Sequence, residues 1–304
     1  MKKFLKVFSF FVITAALAGL WGCSLDSPTG KVALSITDDP VHDPEINGVW
    51  ITIGEVQYNL SSDESGWRSF EGFHGPQEVN LLDYQNGLAL LLGTFELPSG
   101  QYEQIRFLLE IPHEGAKVPP ATPGCWVSFA DDTKEPLFVP SGMQTGYKAV
   151  GTFQVPVNAT VGVTADFDLH KSLRLTANGK RYLLQPTIRL VVNDQAGAIG
   201  GTVTNLPTEK VVIFAYQDDT YDDAEADVSP GGGQFPNSIA EAGVDPGTGA
   251  YRIAFLAPRL YDLVVATVNP DTSLNVAGFV AEVTVQSGET THRDIDMSAL
   301  AQTY

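Results

Sequence analysis

Cationic side chains are scarce in this chain, and so are thiols and histidines. Its 18 Lys and Arg face 36 Asp and Glu, a formal net charge of −18 at pH 7. Nucleic-acid phosphates are held by clustered cations, so so acidic a body excludes DNA or RNA as a partner and is repelled by anionic headgroups alike. Two cysteines, Cys23 and Cys125, are too few for a disulfide framework. Cys125, beside Trp126 and Val127, reads as a small buried hydrophobe with no neighbouring base to activate it. The five histidines, His42, His74, His113, His170 and His292, lie far apart, and none repeats at ligand spacing. Neither a Gly-x-Ser-x-Gly elbow nor a His-Glu-x-x-His pattern is present. These absences point to a non-enzymatic protein with no catalytic residue. A glycosidase needs only two carboxylates from separate strands, which the sequence of so acidic a chain does not test.

Long hydrophobic runs are missing too, with one exception. Lys2, Lys3 and Lys6 precede the uncharged stretch Val7–Leu20, and Gly22 supplies a small residue before Cys23. At 14 residues the stretch is shorter than the roughly 20 that span a bilayer as a helix. The pattern resembles a bacterial lipoprotein signal, which implies that residues 1–22 are removed and that Cys23 is acylated as the first mature residue. Trp21 stands where such signals normally hold a small residue. The alternative is an ordinary signal peptide or an uncleaved anchor. On the lipoprotein reading the membrane is a partner through Cys23, residues 23–30 form a tether, and the protein is exported to the cell envelope. Ser24 is not the aspartate that resembles an inner-membrane retention signal, so the outer membrane is preferred where one exists.

What the chain does have is alternation. Val32, Leu34 and Ile36 interleave with smaller or polar residues, and Val49, Ile51 and Ile53 repeat the habit around Trp50 and Thr52. Further strands are expected at 66–70, 77–82, 101–111, 125–130, 146–155, 161–169 and 181–192, with turns such as Asn178-Gly179 between them. One short helix is expected at Tyr84–Leu92. Gln195-Ala196-Gly197 marks a boundary, after which strands are expected at 198–204, 210–216, 251–256, 261–268, 279–285 and 292–297. The expected fold is all-β, two antiparallel β-sandwich domains in series, at 31–194 and 197–298.

Two resemblances accompany this reading. Ile36-Thr37-Asp38-Asp39-Pro40, Gly66-Trp67, Val79-Asn80-Leu81-Leu82-Asp83, Leu97-Pro98-Ser99-Gly100-Gln101-Tyr102, Phe167-Asp168-Leu169 and Leu184-Gln185-Pro186-Thr187-Ile188-Arg189-Leu190 occur in that order. The set resembles the prokaryotic lipoprotein family named for domain of unknown function 4382, over about residues 30–193, which implies fold and surface location but no reaction. Gly200-Gly201-Thr202-Val203, Gly247-Thr248-Gly249-Ala250-Tyr251 and Leu256–Leu263 are similar to the carboxypeptidase regulatory-like sandwich of transthyretin type, also grouped with starch-binding-like modules. Arg259 and Leu260 stand where that family customarily has a glycine. Such modules accompany surface proteins, some binding glycans and others serving as spacers.

The segment Gln217–Thr248 is the strongest anomaly, a long stretch without strand periodicity inside a compact domain. It holds Asp218, Asp219, Asp222, Asp223, Glu225, Asp227, Glu241 and Asp245 and no Lys or Arg. Oxygen-rich loops suit Ca²⁺, which takes 6–8 oxygen ligands, and the first six acids are the candidate ligands. No EF-hand spacing is present, and a solvated loop is the competing reading. Asp38, Asp39, Asp43 and Glu45 form a second acidic turn, with Asp39-Pro40 ending a strand. For sugar stacking, Trp50, Trp67 and Trp126 are candidates, and Tyr216 and Tyr221, flanking the acidic segment, are the better exposed platform. The functional reading is a membrane-anchored envelope lipoprotein acting as a binding or scaffold module, without a required cofactor. The rivals are a carbohydrate-binding accessory lipoprotein and a Ca²⁺-dependent adhesin, with a glycan or another envelope protein as partner.

Overall fold

The computed structural model describes residues 27–302 apart from 41, 61–65, 111–123, 141–145, 177–180 and 228–232. Residues 1–22, Cys23 and the Asn178-Gly179 turn therefore lie outside the described residues. The first unit contains β1 (Thr29–Asp38), β2 (Ile46–Asn59), β3 (Arg68–Ser69), β4 (Gln77–Asn80), β5 (Leu90–Pro98), β6 (Gly100–Leu109), β7 (Trp126–Phe129), β8 (Lys134–Phe138), β9 (Tyr147–Val155), β10 (Thr160–Phe167), β11 (Leu173–Leu175), β12 (Tyr182–Leu184) and β13 (Ile188–Val192). They hydrogen-bond in the order β11-β12-β8-β7-β2-β6-β9-β13-β10-β1-β5, with β3 and β4 also on β2. Most pairs are antiparallel. The pairs β1/β10, β9/β13 and β8/β12 are parallel.

The long strand β2 makes the corner. Its first half pairs with β7 over Ile46–Trp50, and its second half pairs with β6 from Ile53 to Asn59. The inward set is Val49, Ile51 and Ile53 before Gly54, and Val56 and Tyr58 after it. The register shift between Ile53 and Glu55 swaps that parity. A bulge of this kind bends a strand and lets it leave one layer for the other. Alternating residues of all the long strands, among them Val32, Leu34, Ile36, Ile105, Phe107, Val163 and Phe167, then meet in one core.

The helix expected at Tyr84–Leu92 is not formed. A 3-10 turn, Leu81–Tyr84, is capped by the Asn80 side chain, Gly87 takes φ +87°, and β5 has begun by Leu90. Leu92, Phe95 and Leu97 of β5 are buried, while Leu91 is exposed. A short leucine run fits a strand or a helix, and pairing with β1 decides for the strand.

The second unit contains β14 (Gly197–Thr204), β15 (Val211–Gln217), β16 (Ala240–Gly243), β17 (Ala250–Leu256), β18 (Leu260–Val268), β19 (Leu274–Thr284), β20 (Thr290–His292) and β21 (Ile295–Asp296). One sheet runs β17-β14-β20, with β21 also on β14, and the other runs β16-β15-β18-β19. Ile199, Val203, Tyr251 and Ile253 face Ile213, Ala215, Leu263 and Val265 in the core between the sheets. The outer face of the second sheet is covered as well. Val212, Phe214, Tyr216, Val264 and Ala266 pack there with Tyr221 and Phe235. A strand buried on both faces reads as a continuous apolar run, which is what Val211–Tyr216 is.

That covering corrects two expectations. The acidic segment is not structureless, since Asp223–Ala226 forms a 3-10 turn and β16 pairs with β15. Nor do Tyr216 and Tyr221 form an exposed platform, because their own segment folds back over them and leaves them 0% and 7% exposed.

Candidate functional site

The most unusual chemistry lies at the seam between the two units, where ionisable side chains are buried from both sides. β1 delivers Asp38 and Asp39, β10 delivers Asp166, and β13 delivers Arg189. Asp168 caps the one-turn helix Leu169–Ser172, accepting from Lys171 N at 2.9 Å, which fixes His170 and Lys171 toward the second unit. From the opposite side come Glu241 of β16, the Gln234–Ser238 stretch and the Phe255 carbonyl of β17. Arg189 donates through Nε to Asp166 Oδ2 at 2.8 Å and through Nη1 to Phe255 O at 3.0 Å. Lys171 Nζ pairs with Asp168 Oδ2 at 2.7 Å and donates to Ser238 O at 2.5 Å. His170 Nε2 donates to Gln234 O at 2.8 Å.

Asp38, Asp39, Asp166, Asp168 and Glu241 are all buried, and the basic groups reaching them are Arg189 and Lys171. Loss of solvent penalises the ionised form. Burial, reinforced by the Asp166 charge, pushes the carboxyls of Asp38 and Asp39 well above the usual range. Burial also raises Asp166 despite Arg189. Glu241 is pushed up to about 8 by burial, and His42 is pulled down to about 4 by the same cause. Both shifts disfavour the charged forms of this pair, whose atoms approach to 3.2 Å.

His42, His170 and Glu241 form one cluster in which a ligand atom from each lies within 4.8 Å of the others. Their floor is aromatic, with the Phe214 ring 5.8 Å from that of His42 and 5.6 Å from that of His170. His42 Nε2 and both Glu241 carboxyl oxygens make no hydrogen bond among the described residues. A cleft of about 470 Å³ opens onto the two histidines, lined also by Leu169, Gln234, Asp271 and Ser273. The arrangement offers two imidazoles on a solvent-reached cleft and a buried carboxyl beside them, a donor set suited to a transition-metal cation.

The six acids expected to bind Ca²⁺ are not brought together. Asp218 and Asp219 group with Asp262, but Asp262 already accepts from Asp219 N at 2.9 Å and Glu282 N at 3.0 Å. Asp222 caps its 3-10 turn through Ala224 N. Glu225 turns inward to accept from Tyr216 Oη at 2.9 Å and from Asn237. Asp223 and Asp227 are exposed. Trp50 is half-buried, stacked on Trp126 at 5.8 Å and donating to Ser128 Oγ at 3.1 Å. Trp67 lies under the Arg106 guanidinium at 4.3 Å. Cys125 is fully buried, with its thiol pushed up to about 12 by burial.

Sequence reasoning left His42 and His170 as dispersed residues and Glu241 as one acid of a loop. One local signal was present: a glutamate flanked by alanines in Ala240-Glu241-Ala242, a pattern of small apolar residues around a charge that suits a buried strand better than a solvated loop.

No curated protein matches this chain. Solved structures similar to it include the Bacillus anthracis TIE protein, at 12% identity over 88% of this chain and 34% of that one, with a TM-score of 0.22. The chain thus spans about a third of that protein's length. The minor pilin of Streptococcus agalactiae shares 13% identity over 88% of this chain and 94% of its own, with a TM-score of 0.20. The γ-CGTase of an alkalophilic Bacillus clarkii shares 10% over 83% and 37%, with a TM-score of 0.25. Sequence is more informative: residues 29–186, just over half the chain, match the family described as Domain of unknown function (DUF4382), and the chain belongs to that family.

Proposed function

We propose that this protein is an exported, lipid-anchored envelope protein whose two β-sandwich units act together as a non-enzymatic binding or scaffold module. The observation that carries the reading is the distance from anchor to body. Cys23 closes a lipoprotein-like signal, and β1 begins at Thr29. The five intervening residues reach at most about 18 Å at roughly 3.6 Å each. Acylation at Cys23 would therefore hold the folded body close against the bilayer. Two or more acyl chains, at about 0.8 kcal/mol per buried methylene, make such an anchor durable. Among the described residues no helix is long and apolar enough to cross a membrane. Ser24 favours the outer membrane in a two-membrane cell.

The seam supports the scaffold part of the reading. Arg189, Lys171 and His170 each reach from the first unit to a main-chain carbonyl of the second, and hydrogen bonds of this kind hold two sandwiches as one body. The test is fatty-acid labelling of the full chain in a bacterial host, with Cys23→Ser alongside. The wild type is expected to take up labelled palmitate and to fractionate with membranes, and the variant to lose the label. An unlabelled wild-type chain in the cytosolic fraction would overturn the proposal.

A further inference from the structure

We propose that His42, His170 and Glu241 bind one divalent transition-metal ion of the zinc class, which bridges the two sandwich units at the foot of the seam cleft. The donor set selects the cation. Imidazole nitrogens suit Zn²⁺, Cu²⁺, Ni²⁺ and Fe²⁺, whereas Ca²⁺ and Mg²⁺ take oxygen ligands almost throughout. Two donors, each about 2.0–2.1 Å from a tetrahedral ion, stand roughly 3.3 Å apart. His42 Nε2 and Glu241 Oε1 are 3.2 Å apart, already at that spacing. A ligand atom from each of the three lies within 4.8 Å of the others, a span that small side-chain adjustments can close.

Three further observations point to an ion rather than to a packed polar cluster. Glu241 is 4% exposed, and neither carboxyl oxygen has a hydrogen bond. Buried polar atoms are almost always satisfied, and a cation in the cluster would satisfy both Glu241 and the unbonded His42 Nε2. His170 donates its Nε2–H to the Gln234 carbonyl, so Nδ1 is the ring nitrogen available to an ion. A ligating histidine that gives its other ring N–H to a backbone carbonyl is the usual support for a metal site. The cleft reaches both histidines, so an ion can enter and a water can complete its coordination.

The site joins residues 42 and 170 of the first unit to residue 241 of the second, so occupancy would tighten the seam. It is independent of acylation at Cys23. The experiment uses the full chain purified in detergent and stripped with EDTA, titrated by calorimetry with Zn²⁺ alone and separately with Ca²⁺. One Zn²⁺ per chain is expected, with a rise in melting temperature and no response to Ca²⁺. Co²⁺ in its place should give the visible absorption of a four- or five-coordinate nitrogen and oxygen site. His170→Ala and Glu241→Gln should each weaken Zn²⁺ binding by 100-fold or more while circular dichroism stays unchanged. His292→Ala, which removes the exposed His292–Asp294 pair, should leave binding intact. Two results would overturn the proposal: no saturable Zn²⁺ binding by the wild type, or binding that survives both seam variants.

Discussion

Asp38 shows how one residue carries the strain of the seam. Its Oδ1 accepts from Leu169 N at 3.2 Å, its Oδ2 has no hydrogen bond, and the Asp166 carboxylate repels it. Its folded pKa lies above the unfolded value of 3.8, so its favourable contribution is complete below that value and is lost as pH rises through the folded one. Asp38→Asn keeps the acceptor for Leu169 and removes the charge. Urea unfolding should show little difference between variant and wild type near pH 4, and a gain for the variant that grows to about 1–3 kcal/mol by pH 8. A gain that is the same at every pH would mean that packing, not ionisation, is responsible. The Asp38-Asp39-Pro40 turn was legible as a strand end. That its acids are buried was not, because what buries them comes from β10 and from the second unit, more than a hundred residues away.

Among the elements, the segment after β15 is the one whose role the chain conceals. Its acids advertise a solvated loop, yet Phe235 is fully buried, stacked on Phe214 at 4.4 Å between ring centroids. The Gln234 side-chain amide ties the same stretch to Leu274, donating through Nε2 to its carbonyl and accepting at Oε1 from its N–H. Phe235→Ala should cost about 3–5 kcal/mol in urea unfolding, as truncation of a buried phenylalanine usually does. It should also open residues 217–239 to proteolysis under native conditions. A variant equally stable and equally resistant would show that the ring only fills space above the sheet. Where a strand has one wet face, as β1 and β2 do, period two gave it away. Where both faces are covered, as in β15, alternation vanishes and the sequence no longer says which side is dry. The leucines around Leu90 fail in the same manner, since so short an apolar run carries no period of its own.

At the scale of the molecule, Arg189 is the principal tie. It satisfies a buried Asp166 and reaches the Phe255 carbonyl across the seam. Arg189→Ala should lower stability by about 3–5 kcal/mol near neutral pH, the usual result of stranding one partner of a buried pair. The loss should shrink in acid, where Asp166 takes up a proton. In calorimetry the wild type should melt in one transition, and the variant should split into two if the seam is what couples the units. The all-β character was readable in local pattern. The seam was not, because His42, His170 and Glu241 become neighbours only when both units are folded and docked. One consequence concerns how the gene can be cut. The family match ends at residue 186, but β13 lies between β9 and β10, and its Arg189 belongs to the next unit as much as to its own. A fragment trimmed to the matched span would lose a central rung of its sheet, so shuffling this domain into a new protein demands a splice beyond Val192.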